Sequence, residues 1–189
     1  IGPALATITY ILIFLVLGDG PVDDPTDFVA VAAQNINSLQ TFLWMFPALS
    51  LIFFLFGIRI LSNDIRGNGT SSAIYGLGTM GLLFGVIGTF MGVSLGFTGT
   101  WDVTGVDQGT LRAAGVAIQS YGGVVFGIGF LLTALAIADN KEGLHKIFAY
   151  IAALAGILSV VLSVVDLMDC DFWETTTMIY PIVYIIVSL

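Results

Sequence analysis

Charge is what this sequence has least of. Asp, Glu, Lys and Arg make up 10% of its 189 residues, where a soluble domain carries about 25%. That excludes an ordinary water-soluble domain. Only five residues are Lys or Arg, and the net charge is -8, which excludes an electrostatic grip on nucleic acid. The single cysteine, Cys170, excludes an internal disulfide and any CxxC redox pair. The single histidine, His145, lies in a polar stretch. With no imidazole in an apolar segment, haem, chlorophyll and copper lack their usual ligand, and no cofactor is expected. HExxH, a Ser/His pair and paired intramembrane aspartates are missing, so no intramembrane protease is expected. No carboxylate or base falls at the centre of an apolar segment, which weighs against an ion-coupled pump or transporter.

What is abundant is apolar side chain. The hydrophobic fraction is 57% and the mean hydropathy +1.01. Six apolar segments stand out, over residues 1–17, 39–60, 73–97, 110–138, 147–165 and 175–189. About 20 apolar helical residues span a bilayer core. The expectation is therefore an all-α membrane protein, one domain over residues 1–189, built as a six-transmembrane-helix bundle. The chain starts without methionine and stops inside an apolar run, so both ends are expected to be truncated. Nothing in it reads as a cleavable signal peptide.

The few charges carry the topology. Arg59, Arg66, Lys141 and Lys146 fall in the second and fourth connections, and only Arg112 falls in the others. Most acids do the opposite: Asp19, Asp23, Asp24, Asp27, Asp102, Asp107, Asp166, Asp169, Asp171 and Glu174 share one side. The positive-inside rule then places both visible termini in the cytoplasm of a multi-pass cell-membrane protein, with the acidic loops outside. Trp44, Trp101 and Trp173 fall at the expected outer boundary, and Tyr75 and Tyr150 at the inner one.

Glycine carries the packing. Gly78, Gly81, Gly85, Gly88, Gly92 and Gly96 step by three or four residues along the third segment and so share one helix face. Gly115, Gly122 and Gly129 repeat by heptads in the fourth, and Ala152, Gly156, Ser159 and Ser163 follow a similar rhythm in the fifth. Small residues let membrane helices approach closely, so segments three to five are expected to form a tight centre. The second segment carries Phe42, Trp44, Phe46, Phe53, Phe54 and Phe56 all round and is expected to face lipid or a partner. The letters Gly76-x-Gly78-x-x-Gly81 match a dinucleotide fingerprint, but inside a membrane helix rather than after a strand they do not form one.

Three polar features remain. Asp166, Asp169, Asp171 and Glu174 lie within nine residues, a solvated acidic loop with cation binding as its functional alternative. Arg112 is expected to pair with Asp107, Asp102 or Asp166. Gln119 is expected to hydrogen-bond across helices.

The stretches Ala33-Gln-Asn-Ile, Tyr121-Gly-Gly-Val-Val-Phe-Gly-Ile-Gly-Phe-Leu-Leu and Ile151-Ala-Ala-Leu-Ala-Gly give the chain a layout that resembles an uncharacterised family of prokaryotic six-helix integral membrane proteins, a domain of unknown function. The resemblance implies six spans and no assigned activity; the Asp/Cys cluster at 166–174 departs from it. The functional expectation is a non-catalytic membrane protein, a structural or accessory subunit whose partners are the lipid bilayer and other membrane subunits. The alternative is a channel or carrier for a small neutral solute or a cation.

Overall fold

Inside a bilayer no water is at hand for exposed amides and carbonyls, so an apolar chain must satisfy them within its own helices. The structure, a computed structural model, describes residues 8, 12, 50–61, 69–98, 105, 107–168, 172, 175–176, 179–180 and 182–183. Among the described residues it is all-helical, with no strand. Four continuous helices follow one another: α1 Ser50–Leu61, α2 Gly69–Thr98, α3 Gln108–Asn140 and α4 Gly143–Met168. The last three are long and apolar enough to cross a membrane. The first and sixth predicted spans and the start of the second lie largely outside the described residues.

The helices run further than the apolar segments. α2 begins at Gly69 rather than residue 73, and α4 covers 143–168 rather than 147–165. Polar side chains at a helix end reach the interface while their backbone stays in the helical ladder. Hydropathy therefore underestimates length. The expected inner loop 139–146 shrinks to Lys141 and Glu142, because Asp139 and Asn140 close α3 and Gly143 opens α4 with φ +60°. A two-residue joint makes α3 and α4 a tight helical hairpin.

α3 is the middle element, packing on α2 along one face and on α4 along another. Both neighbours run antiparallel to it. Gly78 near the start of α2 faces Gly129 and Thr133, and Gly92 faces Gly115 and Gln119. Ser71 donates from the start of α2 to the Asp139 carboxylate at the end of α3. On the other side, Gly127 meets Gly156 and Val160, and Gly123 meets Ser163.

Small residues line much of the interior, beside a few large ones such as Leu82, Phe130 and Leu162. Ala134, Ala136, Ala138, Ala149, Ala153 and Ala155 are buried together with Ser120, Thr133, Ser159 and Ser163. Phe53, Phe56, Leu77, Phe84 and Leu154 are among the large apolar side chains left exposed. Small residues inside and large apolar ones outside is the arrangement a lipid solvent favours, since lipid tails solvate leucine as well as a core does.

α1 adds an aromatic contact. The Phe54 ring lies 6.0 Å from Phe126 and 5.9 Å from Phe130, and those two stack at 6.2 Å. The Tyr75 hydroxyl donates to the Ile58 carbonyl. This corrects two expectations. Phe54 turns inward while Phe53 and Phe56 stay exposed, and Tyr75 is a buried inter-helix bond rather than an interfacial anchor. An α-helix separates neighbouring residues by about 100°, so an all-round aromatic segment still offers one ring to a core.

Candidate functional site: the glycine seam and a buried polar cluster

The α2–α3 seam is built where two glycine faces meet. A methyl group on Gly81 would lie 2.9 Å from Gly129 Cα, and one on Gly88 would lie 2.9 Å from Gly122 Cα. At Gly85 it would stand 2.5 Å from the Phe126 backbone, and at Gly92 2.5 Å from the Gly115 carbonyl oxygen. Carbon atoms without a bond settle about 3.5–4.0 Å apart. Only hydrogen fits at these positions. From Gly78 to Gly92 the two backbones touch, and Gly115, Gly122 and Gly129 supply the opposing face. Gly96 lies in the last turn of α2.

Hydroxyls near the seam are satisfied locally. Thr133 donates to the Gly129 carbonyl at 2.8 Å, Thr89 to Gly85 at 3.0 Å and Thr79 to Tyr75 at 2.8 Å. Each bond runs back one turn, so the polar atom is covered without a partner helix. Gln119 is half-buried on α3, its backbone nitrogen and Cβ forming the wall that Gly92 meets. Arg112 lies near the start of α3. Asp107 and Asp166, the described acids among its expected partners, accept from Thr110 and Thr176.

The four acids of the expected cation cluster do not form one unit. Asp169, Asp171 and Glu174 lie outside the described residues. Asp166 belongs to α4 and is 8% exposed, not a solvated loop residue. The correction follows from helix length: α4 continues to Met168, which places Asp166 on the same face as Ser159 and Ser163, both buried. Among the described residues no group of three His, Cys, Asp or Glu converges as a metal site.

Asp166 instead heads a cluster of hydroxyls. Thr176, itself 2% exposed, donates to its carboxylate. One turn back, Ser163 Oγ and Tyr180 Oη share a hydrogen bond at 2.7 Å. The two bonds are rungs between α4 and the segment 175–183, whose described residues are helical. Gly123 closes the cluster from α3: a Cβ there would collide with Ser163 Oγ and lie 3.7 Å from Tyr180 Oη.

Compared with protein families, with curated proteins and with solved structures, the chain matches none.

Sequence reasoning missed two glycines that matter. Gly123 and Gly127 form a second face on α3, turned toward α4, where a methyl on Gly127 would lie 2.8 Å from the Gly156 carbonyl oxygen. Gly156, conversely, would meet the Leu131 amide at 2.8 Å. The signal was present as a Gly123-x-x-x-Gly127 unit offset by one residue from the heptad through Gly122 and Gly129. The doublet Gly122-Gly123 marks a helix that packs on two sides.

Proposed function

We propose that this chain is a non-catalytic integral membrane protein with six spans, both visible termini cytoplasmic and the acidic loops outside, serving as a structural or accessory subunit of a larger membrane assembly. The observation that carries the reading is the closed α2–α3 seam. With backbones in contact from Gly78 to Gly92, that interface has no room for a hydrated path, and its hydroxyls are turned back onto their own helices. Such a seam makes a rigid pair of helices. Large apolar side chains on the outside of α2, α3 and α4 suit lipid and neighbouring membrane subunits alike.

The test is flux. Purified protein reconstituted into liposomes is expected to pass neither cations nor small neutral solutes. Uptake that disappears in Gln119→Leu and persists in Phe53→Leu would replace the subunit reading with a channel or carrier. One observation favours that second reading: Asp166, a buried carboxylate within a span. Ionisable groups in such places line ion and substrate pathways.

A further inference from the structure

We draw no further inference here: the strongest candidate, the outward face of α3 around Tyr121, a tyrosine 65% exposed near the middle of that helix, carries nothing, because nothing in the structure shows what covers it.

Discussion

A methyl group on Gly85 would stand 2.5 Å from Phe126, whereas one on Gly76, also in α2, meets nothing within 4 Å. The two glycines are alike in sequence context and opposite in physical role. Gly85→Ala should destabilise the purified protein by about 1–3 kcal/mol, the range for overpacking a filled interface. Gly76→Ala should stabilise it by about 0.5–1 kcal/mol, because alanine removes backbone freedom from the unfolded chain at no steric cost. Phe53→Leu, on the exposed side of α1, should stay within about 0.5 kcal/mol. Unfolding midpoints of the three variants in one detergent check this ranking. Equal midpoints for Gly85→Ala and Gly76→Ala would mean that α2 and α3 are not in backbone contact. The glycine stripe was legible in sequence because its step of three and four residues is the helix period itself. That Gly76 stands outside the contact was legible too, as a break in that step.

α3 shows what an element inherits from its ends. Asp107 precedes it, exposed, and accepts from the Thr110 hydroxyl. That bond is the main reason its carboxyl is held below its ordinary value; partial desolvation opposes it, and the amides of Thr110 and Gly109 add to it without meeting the geometry of a capping bond. A carboxyl with a depressed folded pKa contributes stability above its unfolded pKa, about 3.9, and loses it as pH falls through the lower folded value. The first turn of α3 should therefore loosen only in acid. Amide exchange at Leu111, whose N–H bonds the Asp107 carbonyl at 3.2 Å, should accelerate relative to mid-helix amides as pH drops below about 4. In Asp107→Asn that relative acceleration should vanish. Its persistence in the variant would assign the effect to another group.

Over the whole molecule, the distribution of five bases and thirteen acids predicts which side each loop faces. Cys170 should be outside and Asn68 inside. An impermeant thiol reagent applied to intact cells should label Cys170. Asn68→Cys in a Cys170→Ser background should stay silent until the membrane is opened, and the sequon Asn68-Gly-Thr70 should remain unglycosylated. Labelling at position 68 with Cys170 unreactive would turn the molecule over.

Helical class, the approximate bounds of α2, α3 and α4, and the small-residue face of each long helix follow from composition and period alone. The bilayer forces every long apolar segment to hydrogen-bond internally, and a 3.6-residue period sorts its side chains without reference to any neighbour. Which face meets which helix was decided only in three dimensions. Gly123 and Gly127 face α4, Phe54 turns toward Phe126 and Phe130, and Tyr75 reaches Ile58. Asp166 is the sharpest case. Hydropathy ends its segment at residue 165 and leaves the carboxylate in water. The extended α4 and the antiparallel segment bearing Thr176 and Tyr180 take it into the interior. A polar residue's surroundings depend on what packs beside it, and local sequence does not record that.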